Sequence, residues 1–277
     1  KMIAYNPKEW FGLIFYFHKS DTFRRLLPLI FAVAVYSAII AYIEIDVFKL
    51  RFRSTAALHS ILGFVISILL VFRTNTAYDR WWEGRKLWGQ LVNNSRSFAL
   101  KVKSAGFNAE TTEQLLNLIG IYPTVLKKHL RNEKHDSFPI EVHQPNFLSM
   151  KMHEHIQVLR KNGELNDQSV LFLNNELVAY SDICGACERI KNTPIPFAYS
   201  MFLKKFIFAY VLTMPYGFIN EFGYGVIAVV SFTCYVLTSM ELIAEDIENP
   251  FGYDANDLPT DSIAENIEKN IKEIKGF

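Results

Sequence analysis

The chain alternates between long uncharged stretches and long polar ones. Leu26 to Ile45, LLPLIFAVAVYSAIIAYIEI, is twenty residues with one charge, Glu44, near its end. About twenty apolar residues suffice for a helix across a bilayer. Ser54 to Phe72 carries no formal charge, and the sequence turns polar at Arg73 and stays so through Trp88. If helical, the 35 residues of Ser54–Trp88 rise about 50 Å, more than the roughly 30 Å of hydrocarbon in a bilayer. The apolar half then sits at membrane depth and the polar half projects into water. Phe197 to Ile219 is apolar but holds Lys204 and Lys205 near its start. A central Lys costs about 2.5–3.5 kcal/mol on an insertion scale, which places both at an interface. Phe222 to Met240 is a nineteen-residue uncharged run. The pattern therefore predicts four transmembrane helices, over 26–45, 55–83, 201–219 and 222–241, with Pro28 in the first turn of the first.

The remaining segments read differently. Residues 84–196 predict a water-exposed helical region. Helix continues from the second span to a break at Ala105–Asn108, and resumes over Glu110–Arg131, Leu148–Lys161 and Asn166–Lys191, with a loop from His135 to Pro145. Alternating runs are few and no Asn-Gly turn occurs, so the fold class is all-α. Residues 1–25, with Trp10, Phe11, Phe15, Tyr16 and Phe17, read as an amphipathic segment on the membrane surface rather than a cleaved signal peptide. Residues 242–277 read as an acidic tail with a short amphipathic helix near Ser262–Ile274.

Within the second span Phe64, Ile68 and Phe72 recur at i, i+4 and i+8, one stripe of a helix, with the small Gly63 beside them. The stripe either lines a pore or packs against neighbouring helices, and the spacing suits both.

Composition narrows the picture only a little. Charged residues make up 21% of 277, which with four spans suits a membrane protein carrying a substantial polar part. A net charge of +1 gives no bulk attraction to nucleic acid. Eighteen of the 29 Lys and Arg lie between Arg73 and Lys205, so the positive-inside rule puts both termini and the helical region in the cytoplasm of a plasma (inner) membrane protein. Lys49, Arg51 and Arg53 on the opposite side conflict mildly with that assignment.

Candidate chemistry is sparse. Cys184-x-x-Cys187 offers two ligands where a structural zinc site takes four, and it falls within a helical pattern. His153-Glu154-His155 lacks the i, i+4 spacing of a zinc-protease helix. No phosphate-binding loop, nucleophile elbow or dinucleotide fingerprint occurs, so an enzyme is not expected and no cofactor is required. Asn249-Pro250-Phe251-Gly252-Tyr253-Asp254-Ala255-Asn256-Asp257 is a bent, oxygen-rich stretch that suits either a divalent cation or an acidic turn closed by its own side chains.

Two sets of residues carry a family resemblance. Phe72-Arg73-Thr74-Asn75, Tyr78-Asp79-Arg80-Trp81-Trp82-Glu83 and Arg85-Lys86-Leu87-Trp88-Gly89, with the distant Glu248-Asn249-Pro250-Phe251-Gly252, resemble the bestrophin family in its bacterial form. The resemblance covers nearly the whole chain. It implies a homopentameric ion channel in a lipid bilayer, the second span of each subunit lining one axial pore. The family's hydrophobic neck falls on Phe64, Ile68 and Phe72, and a second, cytoplasmic constriction falls by ungapped counting near Gln168. Animal members clasp calcium after the matching Asn-Pro-Phe-Gly. Here Asp254 and Asp257 stand at the side-chain ligand positions, with Asp246 and Asn249 where backbone carbonyls contribute. Tyr253, Ala255 and Asn256 interrupt the acidic run, which predicts weak binding of Ca2+ or another divalent cation. The expected function is passive permeation of monovalent ions, chloride-like anions slightly favoured. A cation-selective channel of the same family and a non-conducting membrane-anchored signalling protein are the alternatives. Trp81 and Trp82 are expected to be structural rather than conductive, packing against the membrane-proximal helices, with Trp82 turned toward the subunit boundary.

Overall fold

The computed structural model describes residues 22–48 and 56–276. Helices run over α1 (Thr22–Tyr42), a π turn (Ile43–Val47), α2 (Ala56–Ser104), α3 (Ala109–Leu130), α4 (Gln144–Lys161), α5 (Asp167–Asn192), α6 (Phe197–Phe222), a 3-10 turn (Gly223–Gly225), α7 (Val226–Glu248) and α8 (Thr260–Lys275). No strand occurs among the described residues, as the all-α reading requires. The N-terminal aromatic segment and the basic residues Lys49, Arg51 and Arg53 lie outside the described residues.

The chain forms two compact units, and α2 contributes to both. One unit holds the described residues of 3–79 and 194–248. Here α1 packs along α7, and α7 along α6. Three stretches have the length and apolarity to cross a membrane: Thr22–Val47, Ala56–Ser104 and Asp167–Glu248, the last containing both α6 and α7. Val33, Ile66, Leu70, Leu203, Ile207 and Val230 form the core of this unit. A Cβ on Gly63 would fall 2.7 Å from the Tyr210 hydroxyl, so the missing side chain is what lets α2 and α6 approach.

Helix boundaries depart from the hydropathy pattern in three places. Phe222 closes α6 instead of opening the last span, because the chain turns through Gly223 at φ 52° and restarts at Val226. The helix of the last span, α7, runs on through Glu241 to Glu248, where the sequence suggested a tail from 242. Its acids find a cation within the fold, so their charge does not end the helix. Pro28 lies well inside α1, since the helix already includes Thr22–Arg25 ahead of the apolar run.

The second unit holds 80–193 with 249–276. Its core gathers Trp88, Phe98, Ile119, Leu148, Leu173 and Ile267 from the second half of α2 and from α3, α4, α5 and α8. Asn108 and Asn166 cap α3 and α5, their side chains accepting the Thr111 and Ser169 N–H groups. Tyr122 donates to the carbonyl of Tyr180, and the Tyr180 hydroxyl to Ser95, so the buried phenols are satisfied. The C-terminal segment is not a separate tail. Ile267, Ile271 and Ile274 are buried and α8 packs on α3, because a helix with one apolar face must cover it.

Asp261, in the first turn of α8, ties that helix to α3. It accepts from Arg131 Nη2 at 2.9 Å and from Lys127 Nζ at 2.7 Å. The Arg131 hydrogen bond, with Lys127 assisting, holds its carboxyl at about 2, down from 3.8. A depressed carboxylate stabilises the fold above its unfolded pKa, and the contribution disappears as pH falls through the folded value. Asp261→Asn should therefore lower the melting temperature at neutral pH, by no more than about 1 kcal/mol because the carboxylate is half exposed. Parallel melts of variant and wild type should converge as pH falls from about 4 toward 2.

Candidate pore-lining face

Between Ala56 and Asp79, α2 divides into two faces. His59, Ile66, Leu70, Arg73 and Ala77 are buried, at steps of seven, four, three and four, which keeps them on one side of the helix. Phe64, Ile68 and Phe72 lie on the other, 67%, 40% and 61% exposed. Among the described residues nothing covers the predicted stripe. The free face is wider than the stripe, since Ile61, Val65 and Val71 are exposed too. An apolar band of this extent marks a surface covered by lipid or by other chains.

The buried face contains the residue that the sequence reading passed over. Arg73 is 1% exposed. Its Nη2 donates to Glu248 Oε2 at 2.7 Å, and its Nε lies 3.5 Å from Glu241 Oε2, a looser ion pair. Glu248 also accepts the Ile195 N–H at 2.7 Å, through its other oxygen. One guanidinium therefore joins α2, the far end of α7 and the residues entering α6. A signal was present in the sequence: Glu241 and Glu248 stand seven apart, which puts two acids on one face of a helix that is uncharged up to Met240. His59, also missed, is buried with its Nε2 3.3 Å from Thr213 Oγ1.

The two distant motifs meet a second time in the other unit. A Cβ on Gly84 would lie 3.1 Å from Pro250 and 3.2 Å from Phe251 and Leu258, so the Asn-Pro-Phe-Gly turn seats directly on the α2 backbone. The Trp81 indole donates to the Asn256 carbonyl at 3.0 Å. Arg80 donates to the carbonyls of Ile190, at 2.5 Å, and Thr193, tying down the last carbonyls of α5. Glu83 accepts from Arg189 at 2.5 Å. Within the chain Trp81 is half-buried, while Trp82 is 47% exposed and stacked on it at 6.5 Å between centroids. Trp82 sits one helical step round from the face that receives the turn, so the loop covers only its neighbour.

The acidic stretch closes on itself. Asp257 is buried and its Oδ2 accepts the Asp254 N–H at 2.7 Å, with Gly252 leaving room for that oxygen. Asp254 is exposed. Asp246 lies in the last turn of α7 with its carboxylate on Arg25, 3.0 Å away. Calcium takes six to eight oxygens. A buried carboxylate already given to a backbone N–H fits the capped turn better than the ligand set of a calcium site. Gln168 is exposed in the first turn of α5. The thiols of Cys184 and Cys187 are buried and unbridged, and burial pushes both up, Cys184 to about 12.

Comparison with known proteins agrees with this arrangement. The family described as "Bacterial/Fungal Bestrophin protein" matches residues 2–273. The chain is 32% identical to the voltage-dependent anion channel-forming protein alr2987 of Nostoc, over 96% of its own length and 92% of the relative's. It is 31% identical to the voltage-dependent anion channel-forming protein YneE of Escherichia coli K12, with the same coverage. A crystal structure of a variant of the bacterial bestrophin homologue of Klebsiella pneumoniae superposes with a TM-score of 0.83 at 26% identity, covering 91% of this chain and 100% of that one. The chain belongs to the bestrophin family, a family of membrane ion channels.

Removing the central cation should be costly. Arg73→Met leaves Glu241 and Glu248 buried without their partner, a loss of about 3–5 kcal/mol. Detergent-solubilised protein should show a large fall in melting temperature and yield, with Arg73→Lys intermediate because a lysine cannot reach both acids with a fork of donors. Gly84→Ala should destabilise as well, by about 1–3 kcal/mol, through overpacking against Pro250 and Phe251.

Proposed function

We propose that this chain is one subunit of a homopentameric bestrophin channel that passes monovalent ions through a neck built by Phe64, Ile68 and Phe72 of α2. The observation that carries this reading is the division of α2, with one face locked into its own unit and an apolar stripe left uncovered. A heterologous contact repeated by rotation closes a ring, and five copies of α2 around the axis would stack three apolar rings one helical turn apart. Rings of this kind restrict ions by excluding water, without any charge of their own.

The neck has no formal charge, so selectivity rests on fields outside it. Preference for chloride-like anions is supported by the names of the relatives, which are anion channel-forming proteins. The basic residues Lys49, Arg51 and Arg53 between the first two spans would favour anions at that mouth. The same distribution of Lys and Arg supports an inner-membrane protein with both termini and the polar helical unit in the cytoplasm. Gln168 stands as the candidate for a second, cytoplasmic constriction. The acidic stretch at Asp254 and Asp257 acts as a capped turn in this reading, and the channel needs no bound cation to conduct.

Native mass determination should give five subunits; a monomer or dimer would leave the signalling reading in its place. The combined substitution of Phe64, Ile68 and Phe72 by Ala should raise ion flux through liposomes several-fold, since smaller rings widen and wet the constriction. Unchanged flux from an intact pentamer removes these residues from the neck. Reversal potentials under asymmetric KCl should lie toward the chloride equilibrium value, and a shift toward potassium would make this a cation-selective member. Millimolar calcium should leave the melting temperature unchanged. A calcium-dependent rise that Asp254→Asn with Asp257→Asn abolishes would restore the metal reading.

A further inference from the structure

We propose that His129, His143 and Glu188 form a binding site for a zinc-class divalent cation in the polar helical unit. The three come from separate segments: the last turn of α3, the N-cap of α4 and the C-terminal part of α5. His129 Nε2 and His143 Nε2 each lie 2.6 Å from the same oxygen, Glu188 Oε1, and the three donor atoms lie within 4.8 Å of one another. The two imidazoles are close and tilted, 4.3 Å between centroids at an interplanar angle of 56°. No other group of three such side chains converges this way among the described residues. Two imidazole nitrogens and one carboxylate oxygen are the borderline donors that zinc takes, whereas calcium and magnesium take oxygen alone. All three side chains remain partly open to solvent, so water can complete a tetrahedral set.

Burial pushes His129 down, outweighing the hydrogen bond to Glu188. Burial alone would raise Glu188, but hydrogen bonds from His143 and His129 outweigh it and hold the carboxyl below its usual range. The nearby ammonium is turned away from the donor atoms. Lys191 turns its ammonium onto the His129 carbonyl at 3.1 Å and Asn132 at 2.5 Å.

Without metal the same groups form a hydrogen-bonded triad in which both rings donate to Glu188. His143 Nδ1 accepts the Asn146 N–H at 3.2 Å, which fixes the proton of that ring on Nε2. A cation arriving at Nε2 moves the ring's single proton to Nδ1 and breaks that cap. His143 is therefore the weakest of the three ligands, and the metal would exchange one cap bond for a tie between α3, the connection to α4, and α5.

The test uses the full chain in detergent, stripped with chelator and titrated with ZnCl2 by calorimetry, with CaCl2 in parallel. Zinc should bind with one equivalent per chain and raise the melting temperature, and calcium should do neither. His129→Ala and Glu188→Gln should each weaken zinc by about 100-fold or more. His143→Asn removes a ligand but keeps a good N-cap, so it should weaken zinc about tenfold in a chain that still folds, with only the hydrogen bond to Glu188 lost from the metal-free triad. Asp254→Asn with Asp257→Asn should leave zinc binding intact. Absence of zinc binding by the wild type overturns the site, as does binding that survives Glu188→Gln. If the single variants fail to fold, X-ray absorption on the zinc-loaded wild type decides: nitrogen and oxygen neighbours at about 2.0–2.1 Å support the site, and sulfur at about 2.3 Å overturns it.

Discussion

A buried guanidinium organises the half of this protein that reads as membrane-spanning. Arg73 is almost wholly enclosed, and a lone charge in such a place is prohibitive unless it is paired. Glu248 and Glu241 supply the pairing, and Glu248 spends its second oxygen on the Ile195 N–H. This constraint sets helix rotation. To place Arg73 inward, α2 must also turn Ile66, Leu70 and Ala77 inward, and the same rotation leaves Phe64, Ile68 and Phe72 outward. Apolar packing alone would specify that rotation weakly, since lipid tails are as apolar as a leucine and give little preference between faces.

Several of the residues that carry the family resemblance turn out to connect distant parts of the chain. Arg73 meets Glu248 in one unit, while Gly84 and Trp81 receive the Pro250–Asn256 turn in the other. Arg80 tethers the end of α5 through backbone carbonyls. Together they hold a single helix of 49 residues in two different packings, one suited to an apolar surrounding and one to water. The stripe proposed to control ions has the opposite character. Phe64, Ile68 and Phe72 make no ion pairs or capping bonds, which leaves them free to be shaped by copies of the same helix.

Much of this was determined by the sequence alone. Uncharged runs fixed where apolar helices lie, because backbone polar groups in a bilayer must be satisfied within a helix and side chains must match the lipid. Period placed Phe64, Ile68 and Phe72 on one stripe, and the break near Gly106 ended α2 at Ser104 as expected. Tertiary structure decided what a local pattern cannot encode. Hydropathy stopped the last span at 241 because it counts Glu241 and Glu248 as charges, yet Arg73, about 170 residues away, makes them part of the helix. The amphipathic tail could have faced a membrane or another protein, and only the apolar surface of α3 showed where Ile267 and Ile271 go. His129, His143 and Glu188 carried no spacing that singles them out, since their donor atoms converge only when three helices pack. Side chains brought together by folding, rather than by period or proximity along the chain, are the ones that one-dimensional reading misses.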